Sequence, residues 1–107
     1  TASAEPGLLL ENFFTFAAEV SARAQALADP TRLVILRIIR HFGMTNTEIA
    51  SYLGISRPTV SVHAKILREA GLIETQEVGR AVQHKIRPAD LRQLFEDLIQ
   101  FLDLPEE

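Results

Sequence analysis

Apolar residues recur at helical spacing near both ends of the chain, and between these stretches the pattern breaks into shorter pieces. From Leu8 to Ala28 there is no Gly or Pro, and Phe13, Phe14, Ala17, Val20 and Ala24 fall on one stripe, which predicts a helix. Asp29-Pro30 interrupts it. Asp suits a helix N-cap and Pro the first helical position, so a second helix is expected from Pro30 to about Phe42, stopped by Gly43. Apart from Arg32, Arg37, Arg40 and His41 it is apolar nearly all round and is expected to be buried. Thr45-Asn46-Thr47-Glu48 matches a capping box, opening a short third helix to Leu53. After Gly54-Ile55, Ser56 is a second N-cap. The fourth helix runs to Ala70, before Gly71, with Val60, Ala64 and Leu67 as its buried stripe. Leu72 to Val78 and Ala81 to Ile86 read as strands joined at Gly79-Arg80. A last helix from Pro88 to about Leu104 carries Leu91, Leu94, Phe95, Leu98, Ile99 and Leu102 on one stripe. The order is α-α-α-α-β-β-α, mainly α with a small β-hairpin. Residues 1–7 read as a flexible tail and 8–104 as one domain.

Two short helices joined by a Gly-containing turn form a helix-turn-helix. Entry into a DNA major groove asks the second helix for small polar or basic groups at its N-terminus and an apolar back. The segment Ser56 to Ala70 meets both demands. Arg57, Ser61, Lys65 and Arg68 share one face, flanked by Thr59, Val62 and His63. Arg57 suits a guanine edge, Ser61 several bases, and Val62 a thymine methyl. Pro58 sits in the first turn, where its missing N–H does no harm. Lys65 and Arg68 suit phosphates, and Thr45 and Thr47 suit a phosphate at the third helix. Arg80, in a wing at Glu77 to Ala81, is either a solvated turn residue or a minor-groove or phosphate contact.

Charge first speaks against nucleic acid: the chain carries a net −3. The charges are segregated, however. Residues 56–87 hold a net +3, and residues 88–107 a net −5. Partner choice follows the local field, which is basic around the helix-turn-helix. The chain has no cysteine, which removes disulfide and thiolate chemistry. No apolar run is long enough for a membrane, and the start resembles no signal peptide, so the cytosol is the default location. Thr1 in place of Met leaves a trimmed end, a tag remnant or an excised domain open.

The run Ala26-Leu27-Ala28-Asp29-Pro30-Thr31-Arg32-Leu33 resembles a signature of the ArsR/SmtB-type regulators. So do Ser56 to His63, the run Leu67-Arg68-Glu69-Ala70-Gly71-Leu72-Ile73, and Gly79-Arg80 followed by Val82. The resemblance spans about Ala22 to Leu104. It implies a winged helix-turn-helix transcription regulator that binds double-stranded DNA as a homodimer, typically a repressor on a palindromic operator, with terminal helices at the dimer interface.

Metal-sensing members often carry Cys near the third helix or His and acids along the last one. Here the third helix opens with Thr45-Asn46-Thr47-Glu48, and no His follows Pro88. His41, His63 and His84 lie too far apart for a local ligand pattern, so no metal or cofactor is expected. His63 reads as a groove-edge or scaffold residue and His84 as a packed wing residue. No nucleophile elbow, phosphate loop or paired-carboxylate constellation is present, so no enzyme is expected, and Asp90, Glu96 and Asp97 read as solubilising charges. One small domain cannot cover both terminal stripes, so Phe13, Phe14, Ala17, Val20, Leu91, Leu94, Phe95, Leu98, Ile99 and Leu102 are expected at a dimer interface. A small-molecule effector among Phe13, Phe14, Phe95 and Leu98, a protein effector, or none remain open. The alternative is a winged-helix protein-interaction module or an excised domain of a larger regulator.

Overall fold

The computed structural model of the protein describes residues 6–106. Within them the chain forms α1 (Pro6–Gln25), α2 (Pro30–Phe42), α3 (Asn46–Leu53), α4 (Arg57–Glu69), β1 (Ile73–Val78), β2 (Ala81–Ile86) and α5 (Pro88–Phe101), a winged helix-turn-helix in the expected order. Pro6 and Gly7, read above as tail, belong to the first turn of α1. Residues 1–5 lie outside the described part.

Polar caps set the helix starts. The Asp29 carboxylate accepts from the Thr31 and Arg32 amides at 2.8 and 3.2 Å, with Pro30 behind it. Thr45 and Glu48 form the full capping box at 3.2 and 3.0 Å. Gly43, at φ +58°, ends α2 in the left-handed region that costs glycine nothing.

Two helix ends differ from expectation. α1 stops at Gln25 rather than Ala28. The amides of Ala26, Leu27 and Ala28 turn back onto the carbonyls of Arg23, Ala24 and Gln25, and the Arg32 guanidinium braces the bend, its Nε donating to Ala26 O at 2.7 Å and Nη2 to Gln25 O at 3.2 Å. The chain can then turn sharply toward α2. α5 stops at Phe101 rather than Leu104. Asp103 adopts φ +52°, and the amides of Asp103 and Leu104 close back onto Gln100 O and Ile99 O at 3.1 and 3.3 Å. That is a Schellman stop made with Asp in the place glycine usually takes.

The core gathers under the helix-turn-helix. Ile35, Leu36, Ile38 and Ile39 of α2 meet Ile49 and Ala50 of α3, Val60, Ala64 and Leu67 of α4, and Leu72 and Ile73 at the root of the hairpin. α2 is therefore not buried all round, as its composition suggested. Leu33 and Val34 are exposed, because the domain has only one side to offer this helix.

The strands pair antiparallel from Ile73↔Ile86 to Val78↔Ala81, leaving a two-residue turn with Gly79 at φ +64°. A further bridge joins Gln83 to Thr45, and the Gln83 amide donates to Gly43 O, which ties the wing to the loop before α3. α1 and α5 lie together, joined by an Arg23–Asp97 ion pair at 2.7 Å that Gln93 supports at 2.8 Å. Asp97, read above as a solubilising charge, thus clamps two helices, and Asp90 pairs with Arg87 at 2.8 Å. The molecule measures 58 × 29 × 23 Å with a radius of gyration of 17.5 Å. A compact domain of this length has a radius of about 13 Å, so the terminal helix pair projects from the core.

Leu67 lies at the centre of this core and is fully buried. Leu67→Ala is expected to cost about 2–5 kcal/mol of unfolding free energy, read from urea denaturation.

Candidate nucleic-acid interface

α4 is held by its back and leaves its front bare. Val60, Ala64 and Leu67 are buried, while Arg57, Pro58, Thr59, Ser61, Val62, Lys65 and Arg68 are exposed. Ser56 caps the helix, accepting from the Thr59 amide at 3.2 Å and lying 2.7 Å from the Thr59 hydroxyl. Thr59 therefore serves the cap.

The head of α4 faces the head of α3 and the tip of the wing. Thr45, Thr47, Arg57, Pro58, Ser61 and Arg80 line one crevice of about 380 Å³, together with Asn46, Ala81 and Val82. Two guanidiniums, small hydroxyls and the N-terminus of α3 thus converge there, an arrangement suited to a phosphate-bearing strand. Val62, Lys65 and Arg68 lie outside the crevice. Lys65 reaches Glu69 at 3.8 Å, an exposed i,i+4 pair of small energetic weight.

His63 points away from this front. Its Nδ1 sits 3.3 Å from Arg32 Nη1, and since a guanidinium only donates, this nitrogen accepts. The structure thus places His63 as a link from α4 to the α1–α2 junction.

Behind the crevice lies a set of polar contacts that the sequence reading did not find. His84 is buried, with Nε2 2.6 Å from Asn46 Oδ1 and Nδ1 3.0 Å from Thr75 Oγ1. Asn46 Nδ2 in turn donates to Ser61 Oγ at 3.4 Å, and Arg68 Nη1 to Thr75 Oγ1 at 3.4 Å. Burial, reinforced by the Arg68 charge, holds the His84 pKa below its ordinary value of 6.5. The only available signal was His84 on the inward face of a strand whose neighbours are polar.

The terminal stripes divide. Phe13, Phe14, Phe95, Leu98, Ile99 and Leu102 are exposed, as are Leu10 and Leu104, which the sequence reading omitted. Ala17 and Leu91 are half-buried. Val20 and Leu94, read above as interface residues, are 5% and 2% exposed within the single chain, because α1 and α5 cover each other at that level. Phe13 and Phe16 both pack on Phe101, with ring centroids at 5.8 and 5.6 Å. A cavity of about 250 Å³ lies among these three rings and Gln100, sharing only Phe13 with the Phe13–Phe14–Phe95–Leu98 grouping left open for an effector.

Residues 29–75 match the family model described as bacterial regulatory protein, arsR family. The HTH-type transcriptional regulator NmtR of Mycobacterium tuberculosis is 32% identical over 83 residues, covering 78% of this chain and 69% of that protein. The chain belongs to the arsR family of bacterial regulatory proteins. As a member of a family of transcription regulators, it is not an enzyme. A probable mercury resistance operon repressor of Streptomyces lividans is 39% identical over 70 residues, covering 63% of this chain and 56% of that protein. Among solved structures, an ArsR-like transcriptional regulator from Rhodococcus sp. RHA1 superposes with a TM-score of 0.70 at 28% identity, covering 78% of this chain and 79% of that one. The homodimeric winged helix-turn-helix DNA-binding domain from Mycobacterium bovis superposes at 0.65 with 22% identity, covering 96% of this chain and 89% of that one, a likeness of fold. No helix among the described residues is long and apolar enough to cross a membrane.

The lowered His84 pKa gives a signed prediction. The unfolded chain binds this proton more readily, so the contribution of His84 to stability is complete above pH 6.5 and is lost as pH falls through the lowered value. The urea midpoint of the wild type is expected to fall between pH 7.5 and 5, and the drop to shrink in His84→Gln. Asp29, Glu48 and Asp97 also titrate below their ordinary values, for Asp97 chiefly through the Arg23 hydrogen bond, so their losses come at more acid pH.

Proposed function

We propose that this member of the arsR family is a sequence-specific DNA-binding repressor that acts as a homodimer on a two-fold symmetric operator. The carrying observation is the convergence of Arg57, Ser61 and Arg80 with Thr45 and Thr47 in one crevice at the head of a capped, front-exposed α4. In this reading Ser56 to Ala70 is the recognition helix. Arg57, Pro58, Ser61 and Val62 face bases, Thr59 supports them from the cap with Ser56, and Lys65 and Arg68 meet phosphates. Glu77 to Ala81 is the wing, with Arg80 at the backbone or minor groove, and His63 orients the helix from behind.

The projecting α1–α5 pair supports the dimer. Phe14 is 73% exposed, and Phe95, Ile99 and Leu102 are each about half exposed. A contiguous apolar surface of that kind is stable in water once a second copy covers it. A two-fold axis there would set two copies of α4 about one turn of DNA, ~34 Å, apart. The Mycobacterium bovis fold neighbour is itself a homodimer. The proposal includes no metal sensing: the chain has no cysteine, and no group of three or more His, Asp or Glu among the described residues is placed to hold an ion. An effector, small molecule or protein, is not assigned. The reading of residues 8–104 as one functional domain is part of the same proposal.

A duplex selected from a random library provides the test. Arg57→Ala should cost about 1–3 kcal/mol on that duplex and relax the preference at one base position. Lys65→Ala should weaken all duplexes alike and flatten the salt dependence by about one unit of slope. Binding of the wild type to no duplex at low salt would refute the reading and leave the protein-interaction module in its place. Sedimentation of Phe14→Glu and Ile99→Glu should show monomers where the wild type is a dimer. Dimeric variants would remove these helices from the interface.

A further inference from the structure

We propose that His84 is the positioning residue that sets the wing against the recognition helix, through a directed chain of hydrogen bonds running Arg68, Thr75, His84, Asn46, Ser61. The proposal rests on the reading of α4 as the DNA-recognition helix.

The chain has one self-consistent direction. The Asn46 carbonyl oxygen only accepts, so the His84 nitrogen 2.6 Å away carries its proton. A neutral imidazole protonated at Nε2 leaves Nδ1 bare. That nitrogen accepts from the Thr75 hydroxyl at 3.0 Å, and the hydroxyl oxygen is free to accept from Arg68 at 3.4 Å. At the far end, the Asn46 amide spends its own N–H on Ser61 at 3.4 Å. Each link pairs one donor with one acceptor, and among the described residues no buried side-chain polar atom lacks a partner. Such chains reinforce themselves and select one arrangement of the elements they join.

The route is what separates this from ordinary packing. His84 bonds to two elements, and each bond leads to an exposed side chain of α4. Ser61 stands in the crevice and Arg68 about two turns further along α4. The two inner bonds are short and the two outer ones long. The frame is therefore firm in the middle and yielding at the ends, where DNA would claim the side chains. An apolar residue would fill the same space without a buried polar group to satisfy, so packing alone does not call for histidine here.

The charges around His84 make the device sensitive to protons. Arg68 faces it from α4 across Thr75, Arg40 and His41 of α2 line the cavity beside it, Lys85 follows on its own strand, and α3 offers neutral Asn46. No carboxylate lines that cavity. A second proton, on Nδ1, would face the Arg68 charge and would turn the Thr75 bond round, setting Thr75 to accept from both His84 and Arg68.

The test measures binding of the wild-type-selected duplex by fluorescence anisotropy at pH 7.5 and 5.5. Wild type is expected to lose affinity at the lower pH, by less than the roughly tenfold that an imidazole with its ordinary pKa would give, because burial holds the His84 pKa down. His84→Gln, which keeps a donor and an acceptor but does not titrate, should bind near wild type at pH 7.5 and lose much of the pH response. His84→Leu should bind roughly tenfold more weakly at pH 7.5 and relax the base preference at the position nearest Ser61. A folded, dimeric His84→Leu with wild-type affinity and preference would overturn the proposal. So would an undiminished pH response in His84→Gln. Should His84→Leu not fold, Thr75→Val decides: severalfold weaker binding supports the chain, and unchanged binding overturns it. If the wild type itself selects no duplex, the DNA reading has failed. If it binds and the variants are indifferent, this proposal alone has failed.

Discussion

The fold hangs on the junction between α1 and α2, where one cation and one anion settle opposite helix ends. Arg32 donates to the carbonyls of Gln25 and Ala26 at the end of α1 while Asp29 takes the first amides of α2. Together with the Ala28 amide, which also reaches Gln25 O at 3.1 Å, they satisfy backbone groups at a tight bend. The same guanidinium touches His63, so the junction also fixes the rotation of α4 about its axis. With α1 turned this way, Arg23 meets Asp97 and the terminal helices run together out of the core. A short sequence signature thus organises the molecule because its charged residues close the chain locally and reach across it at once.

How much of this could be read in advance depends on the range of the interaction. Caps at Asp29, Thr45 and Ser56, and the hairpin at Gly79-Arg80, obey rules spanning three or four residues, and they were legible. The end of α1 was not, because the group that braces it lies six residues beyond Ala26 in the sequence. The end of α5 escaped because Asp103 fills a left-handed position that sequence rules reserve for Gly. The stripes on α1 and α5 were legible as stripes. Periodicity cannot tell which rungs face a neighbour in the same chain, and Val20 and Leu94 turned inward. Asn46 and His84, thirty-eight residues apart, could be joined only in three dimensions.

The candidate interface shows the same division. Exposed side chains on the front of α4 follow from helical geometry and the apolar back. What geometry alone does not supply is the placement of the wing, a two-stranded ribbon too small to hold itself. Such a ribbon is marginal in water and must be anchored elsewhere. Here the anchors are the Thr45–Gln83 bridge, the amide of Arg87 on Leu72 O at 2.9 Å, and buried His84. Each lies at the root or middle of the ribbon. The tip at Arg80 is exposed, while the base stays registered to α3.

Gly43 concentrates this dependence in one residue. It ends α2 with a positive φ, and its carbonyl receives the Gln83 amide that holds the wing. An added Cβ would sit 3.3 Å from that same amide nitrogen, on a backbone already unfavourable to side chains. Replacement by alanine would therefore strain the helix stop and press on the latch together. In a mutational survey, this loop position, outside the crevice lining, would score like a contact residue. It marks a place where genetic sensitivity reports the angle of a lever and not the touch of a ligand.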